Sequence, residues 1–343
     1  MARTADVVII GGGIHGCSTA LHLALRGLKP ILIEKDYAGR HASGVNAGGV
    51  RQLARDLHEI PLSISSMDIW ERIEELVGDD CGFEHEELID AAELRRLVPA
   101  VSDRCPGGVV SRRDGAADPF RTTQAFRRRA VEKGAEVIEG VTVTGLSRSG
   151  ANWRVETSAG IFEAPKVVNA AGAWADRIAA MLGEPMPLAV VAPMLMVTSR
   201  LPAFIKPVVI LRGRKLSFKQ LGNGTVVIGG GHLSTPYRDR NETVLDWEKL
   251  AISARTVWEL FPAMHEATVV RAWAGIEAYM PDGIPVIGKS STSEGVFHQF
   301  GFSTHGFQLG PGTGAVMAEL VATGSTNTPI DGLGIERFAA TQE

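Results

Sequence analysis

Among its 343 residues the chain has only three cysteines, Cys17, Cys81 and Cys105, and no two of them form a Cys-x-x-Cys pair. That scarcity argues against a zinc site and against a disulfide framework, and no metal-ligand set is expected. No apolar run reaches the ~18 residues that a membrane span needs. The net charge is −4, which gives no sign of a nucleic-acid partner or an anionic membrane surface. Neither an internal repeat nor a low-complexity segment is present. The apolar run after Arg3 leads straight into Gly11 and Gly13, so it reads as a first strand rather than a secretory leader, and the expected compartment is the cytoplasm. What remains is a globular composition, 45% hydrophobic and 22% charged, with enough chain for a sizeable core and two domains.

Residues 6–34 organise the rest. Val7, Val8, Ile9 and Ile10 form a β-branched run that reads as a buried parallel strand. Gly11, Gly13 and Gly16 follow in the spacing G-x-G-x-x-G. Next comes a helix whose buried side carries Ala20, Leu21, Leu23, Ala24 and Leu25, and which Gly27 ends. Residues 30–33 are a second strand with Glu34 at its tip. The turn glycine, a bare backbone against a pyrophosphate, close helix–strand packing and an acid for a ribose are the parts of a dinucleotide site.

Further along, residues 37–52 are rich in Gly, Ala and Ser and read as an extended loop lying against something flat, because glycines destabilise a helix. Residues 61–76 have helical spacing, with Trp70 as core. A short helix is expected at 91–97. Another starts at Asp118-Pro119 and runs to Gly134, with Arg127, Arg128 and Arg129 on its solvated face. A strand at 135–138, a hairpin system from 141 to 164 and a buried strand at 167–171 resume the first unit. From 188 to 231, strand-like runs separated by turns such as Leu221-Gly222-Asn223-Gly224 read as an antiparallel sheet. A helix at 245–261, strands at 268–277 and 295–300, and a last helix at 312–324 complete the chain.

Five pieces, in this order and spacing, carry a resemblance over nearly the whole chain. They are GGGIHG with Glu34-Lys35, SGVNAGGVRQ at 43–52, VVNAAGAWA at 167–175, RAWAGIEAYMPDGIPVIG at 271–288 and GFSTHGFQLGPGTG at 301–314. The chain resembles the FAD-dependent amino acid oxidoreductases of the D-amino acid oxidase, glycine oxidase and sarcosine oxidase type. It also resembles the flavoprotein subunits of opine and hydroxyproline dehydrogenases. The resemblance implies an α/β fold, a Rossmann-like FAD-binding domain with an inserted antiparallel-sheet substrate domain. The FAD domain would be discontinuous, 1–80, 115–185 and 268–343, and the substrate domain would be 81–114 and 186–267. It implies that Gly11, Gly13, Ile14, His15, Gly16, Glu34, Lys35, Ser43, Ala47, Gly48, Gly49, Val143, Ala171, Gly172, Gly306, Phe307 and Gln308 bind the cofactor, with Val143 holding adenine through its main chain. Gly306 and the glycines at 310–314 are expected before the last helix, their backbone amides turned to the flavin.

The departures from the pattern sharpen the expectations. Gly275 and Asn46 stand where relatives attach flavin through a cysteine or a histidine, so non-covalent FAD is expected, and nearby His41 reads as a polar loop residue. Gln308 and Glu277 stand where relatives carry the lysine or arginine that clamps a substrate carboxylate. Arg51, or Arg212, Arg214 or Lys219 of the substrate domain, would replace that clamp. Glu277 either meets a second cationic group on the substrate, as an arginine-derived opine has, or makes a salt bridge to Arg271 or a neighbour. Val227 stands where oxidases place a lysine over the flavin, with Lys219 one strand earlier. A dehydrogenase passing electrons to a partner subunit, quinone or dye is therefore favoured over an oxidase.

The implied reaction is hydride transfer from the α-carbon of an amino acid or secondary amine to flavin N5, leaving an imine that water hydrolyses. His305 either takes the amine proton or shapes the pocket. The candidate substrate-site residues are thus His305, Glu277, Gln308 and Arg51. Relatives carry more chain between Phe83 and residue 91. Either the substrate domain is reduced there, inviting a partner subunit, or residues are absent from the sequence as numbered. The alternative function is a non-catalytic FAD-carrying electron-relay subunit of a heteromeric dehydrogenase.

Overall fold

The structure is a computed structural model and describes residues 2–52, 55–85, 95–96, 101–102, 114–206, 208–211 and 214–341. Two large sheets dominate it. The first has six strands in the spatial order Val286–Lys289, Val296–Phe300, Lys166–Asn169, Val7–Ile10, Pro30–Ile33 and Glu136–Ile138. All neighbours run parallel except Val286–Lys289, which is antiparallel to its partner. Every residue of Val7–Ile10 is buried, as a central parallel strand with both faces covered requires. Strands from the two ends of the chain flank Lys166–Asn169, so this sheet closes only when the C-terminal third has been made.

Helix Ile14–Leu25 lies over the sheet and packs against helix Pro119–Glu132 and against the C-terminal helix, Gly306–Thr323. The Asp118 side chain accepts the Arg121 amide and so starts its helix where the Asp-Pro pair predicts. The arginines of that helix are paired rather than merely solvated: Arg127 binds Glu139 at 2.7 Å, and Arg128 and Arg129 meet Asp79 and Glu132.

The last helix begins at Gly306, six residues before the position expected from sequence. Its glycines therefore lie inside the helix, and packing explains them. A Cβ on Gly310 would sit 2.5 Å from Ile14, one on Gly312 2.7 Å from Ser66, and one on Gly314 2.0 Å from the Ser18 hydroxyl. These bare positions let the C-terminal helix approach helix Ile14–Leu25 and helix Ile60–Trp70 closely. Gly314→Val is expected to destabilise the fold by about 2–3 kcal/mol through overpacking, read as a lower denaturant midpoint. An unchanged midpoint would contradict the close approach.

Two other local expectations change. The loop at 37–52 holds a one-turn helix, Ala42–Val45. The Asn46 side chain ties it by donating to the Ala42 carbonyl at 2.8 Å and accepting from the Gly48 amide at 2.7 Å. The helix expected at 61–76 is two, Ile60–Trp70 and Ile73–Val77. Trp70 is fully buried, as expected, and donates to the Gln308 carbonyl at 2.8 Å. Of the helix expected at 91–97 only residues 95–96 are described, and the remainder, like Cys105 and Arg212, lies outside the described residues.

The second sheet is antiparallel and built on the long strand Ala189–Thr198. Around it run Val209–Ile210, Ser217–Gln220, Val226–Gly229, Leu233–Tyr237 and Glu242–Val244. Helix Trp247–Leu260 covers one face, over a core that includes Met194, Met196, Phe218, Val257 and Phe261. Strands Val269–Ala274 and Glu277–Tyr279 also pair with Ala189–Thr198. Sequence position groups them with the cofactor unit, but their hydrogen bonds belong to the antiparallel sheet. That pairing carries Glu277 across to the site.

Candidate cofactor and substrate site

The site begins at the turn after Val7–Ile10. Gly11 has φ +112°, and a Cβ there would lie 2.3 Å from the Ala170 carbonyl oxygen. Only glycine fits on both counts. Gly13 caps helix Ile14–Leu25 without any side-chain capping bond, which leaves the helix start as the anion-binding end of the turn. The Ser43 hydroxyl accepts the Ile14 amide at 2.9 Å and brings the 43–49 loop against the same turn. Glu34 is buried; its two oxygens accept the Gly12 amide at 2.6 Å and the Asp36 amide at 2.9 Å. Burial pushes its carboxyl pKa up, while those amide bonds pull it back. An ionised carboxylate has about four acceptor sites, so ribose hydroxyls can still bind.

A cavity of about 680 Å³ opens from this turn. Of the residues expected around a dinucleotide, Gly11, Gly13, His15, Glu34, Lys35, Ser43, Ala47, Gly49, Val143, Ala171, Gly172, Gly306 and Phe307 line it, and so do Arg51 and Glu277. Ile14, Gly16, Gly48, His305 and Gln308 are not on the lining. Gly16 acts one layer back, where a Cβ would meet the Gly11 carbonyl oxygen at 1.9 Å.

Two of the candidate substrate-site residues are committed elsewhere. Nδ1 of His305 lies 3.1 Å from the buried carboxylate of Glu59. Gln308 is 1% exposed; its amide oxygen accepts the Ser63 hydroxyl at 3.0 Å and its nitrogen donates to the Ser63 carbonyl at 3.1 Å. Both side chains lock the last helix to residues 59–66.

Glu277 does face the cavity, partly accessible, and accepts the Thr304 amide at 2.7 Å. Desolvation pushes its carboxyl pKa up to about 7. The salt bridge to Arg271 is not formed; that guanidinium lies over the Trp273 ring at 5.8 Å. No charged side chain among the described residues offsets the burial of Glu277; the Thr304 amide alone does. Thr304 and Ser303 have φ of +74° and +47°, a strained turn of the kind that persists where surrounding contacts fix it. Tyr279, beside Glu277 on the same strand, also lines the cavity, and burial pushes its hydroxyl up to about 12.

Among the other expected clamps, Arg214 reaches the wall while paired with Glu259 at 2.6 Å. Lys219 is buried outside this cavity, near the Ala117 carbonyl and directly opposite Val227 in the strand register.

Sequence reasoning gave His15 as a cofactor-binding residue without a role for its ring, and did not place Trp174, Arg177 or Tyr279 in the site. His15 stacks on Phe302 with ring centroids 3.7 Å apart, and burial lowers its pKa to about 3. Its Nε2 has no partner among the described residues, an orphaned polar atom on the wall of a cavity that fits a polar cofactor. Trp174 follows the strand tip at Asn169, where ligands of open α/β sheets bind; that position was the available clue. Among the described residues no cluster suits a metal ion, and no helix is long and apolar enough to cross a membrane.

Residues 6–87 and 82–320 match the family described as FAD dependent oxidoreductase (DAO). The two matched segments overlap at residues 82–87, within the stretch where relatives are expected to carry more chain. The chain is 27% identical over 384 residues to mitochondrial sarcosine dehydrogenase of Mus musculus, covering 98% of this chain and 42% of that protein. It thus spans less than half the length of that relative. It is 27% identical to sarcosine oxidase subunit beta of Rhizobium meliloti, covering 97% of this chain and 88% of that one. The crystal structure of L-proline dehydrogenase from P. horikoshii superposes with a TM-score of 0.91 at 27% identity, covering 99% of both chains.

Proposed function

Because the chain belongs to the FAD-dependent oxidoreductase family called DAO, we propose that it oxidises an amino acid or secondary amine at the carbon bearing nitrogen. One observation supports this above others. The glycine turn and Glu34 from the N-terminal end, and Gly306 and Phe307 from the C-terminal end, line the same cavity as Arg51 and Glu277. Cofactor-type and substrate-type residues thus share one space.

FAD, when bound, supplies the two-electron acceptor that no side chain provides. The protein's part is binding and orientation. Gly13 and the helix start hold the pyrophosphate, Glu34 holds the ribose, and the Val143 main chain holds adenine. Arg51 and Arg214 meet the substrate carboxylate. Glu277 receives the amine end, charged or neutral according to pH. Phe302, Phe307 and Ile276, all buried, give the same cavity an apolar wall.

FAD is held without a covalent bond. A side chain at Gly275 has no room, since a Cβ there would lie 2.3 Å from Val45, and the Asn46 amide is engaged in its own loop. The division into an FAD domain (1–80, 115–185, 268–343) and a substrate domain (81–114, 186–267) is part of the same reading, with strands Val269–Ala274 and Glu277–Tyr279 joining the two. So are a cytoplasmic location and transfer of electrons to a partner subunit or quinone rather than to oxygen, which Val227 in the lysine position favours.

Anaerobic mixing of the FAD-loaded protein with sarcosine, proline, glycine, D-amino acids and N-carboxyalkyl amino acids tests the reading. Bleaching of the yellow absorbance by at least one of them is expected. A loaded protein that none of them bleaches would overturn it in favour of an electron-relay subunit.

A further inference from the structure

We propose that the turn at residues 238–241 is a further part of the cofactor site, a clasp that sets how fast FAD leaves. The inference rests on the FAD reading above. The turn joins Leu233–Tyr237 to Glu242–Val244 in the antiparallel sheet, with Tyr237 opposite Glu242. It consists of the single 3₁₀ turn Arg238–Arg240 followed by Asn241 in the left-handed region at φ +58°.

Its side chains turn to the other sheet. The Asn241 amide oxygen accepts from the Lys35 ammonium at 2.6 Å, and its nitrogen donates to the Asp36 carboxylate at 2.5 Å. Arg238 donates to the Ala173 carbonyl at 2.8 Å and to the Asp176 carboxylate at 2.6 Å. Asp239 pairs with Arg177. All these partners lie in two short segments, 35–36 and 173–177. Each follows the tip of a central strand of the first sheet.

Those segments are cavity wall. Lys35, Ala173, Trp174 and Arg177 line the cavity, beside Glu34 and Val143. Lys35 sits 3.9 Å above the Trp174 ring, which in turn lies 4.7 Å from His41, also on the wall. The turn itself is not on the lining. It acts from behind, fixing the wall around the adenosine half of the cofactor. One exposed ion pair of this kind contributes little. Here several half-buried contacts span two sheets, and they break together if the turn lifts.

Asn241→Gly removes the side chain from a residue whose φ of +58° glycine adopts without strain. Arg238→Gln removes the second grip. Wild-type and variant proteins loaded with FAD are diluted, and flavin release is followed by the rise in flavin fluorescence. Release at least tenfold faster in the double variant, and severalfold faster in Asn241→Gly alone, is expected. The melting temperature of the FAD-free protein is expected to change little. An Arg128→Gln control, which breaks an exposed pair with Asp79 away from the cavity lining, is expected to release FAD at the wild-type rate.

Release unchanged in both clasp variants overturns the proposal. So does a lower melting temperature in the FAD-free protein with no faster release, which marks the turn as a structural tie. A wild-type protein that takes up no FAD fails at the earlier step and removes the cofactor reading itself.

Discussion

Gly13→Val yields a folded chain that carries no FAD. Gly13 has φ −73° and ψ −179°, an extended conformation that valine adopts as readily as glycine. A Cβ at this position lies 2.8 Å from the Ser43 hydroxyl. The valine methyls then occupy the approach to the helix start and displace the group that accepts the Ile14 amide. Fold and core are spared, because the added atoms point into the cavity rather than into a packed interface. Affinity for FAD is expected to fall at least a hundredfold, about 3 kcal/mol, while the melting temperature of the FAD-free protein stays near the wild-type value. Calorimetric titration measures the first and thermal unfolding the second. A yellow Gly13→Val protein would place the phosphates elsewhere.

The second large effect belongs to Glu277, and its signature is pH. Burial raises the carboxyl from 4.5 to about 7. The folded protein therefore holds a proton there that the unfolded chain releases. For an acid shifted this way, stability falls as pH rises from 4.5 towards 7, and above 7 the loss is complete. Glu277→Gln removes this loss. After allowing for the solvent that reaches the cavity, the variant is expected to gain about 1–2 kcal/mol over wild type between pH 5 and pH 8. Glutamine keeps an oxygen for the Thr304 amide, so the strained turn at 303–304 stays in place.

Function moves the other way. In the wild-type protein the carboxylate forms as pH passes 7, and KM for a substrate with a cationic nitrogen is expected to fall about tenfold between pH 6 and pH 8. In Glu277→Gln that fall disappears, and the loss of affinity above pH 7 is greatest for a substrate with a second cationic group, such as an arginine-derived opine. Identical pH profiles in both proteins would remove Glu277 from the substrate site.

The first motif was legible because each of its parts answers a local demand. A β-branched run, a glycine with positive φ and an acid at a strand tip all lie within 29 residues, 6–34. The C-terminal glycines were harder to read. Gly310, Gly312 and Gly314 look like an exposed ligand loop in sequence, but the reason for them lies some 300 residues away at Ile14 and Ser18, and at Ser66. Their function is a helix–helix distance that local periodicity does not encode. His305 and Gln308 lie off the cavity lining for a related reason. Resemblance locates a segment against the cavity, but not the face on which each side chain leaves the helix. Glu59 and Ser63, which capture them, belong to a different element. The contacts at 238–241 were invisible because each involves a common polar residue, and only the meeting of two sheets gives them meaning.

The central claim is that the two ends of the chain close around one FAD. Equilibrium titration of the FAD-free protein with FAD, followed by absorbance and by quenching of flavin fluorescence, tests it most directly. Saturation at one FAD per chain, lost in Gly13→Val, is the predicted result. A colourless protein that leaves added FAD free in solution would contradict it.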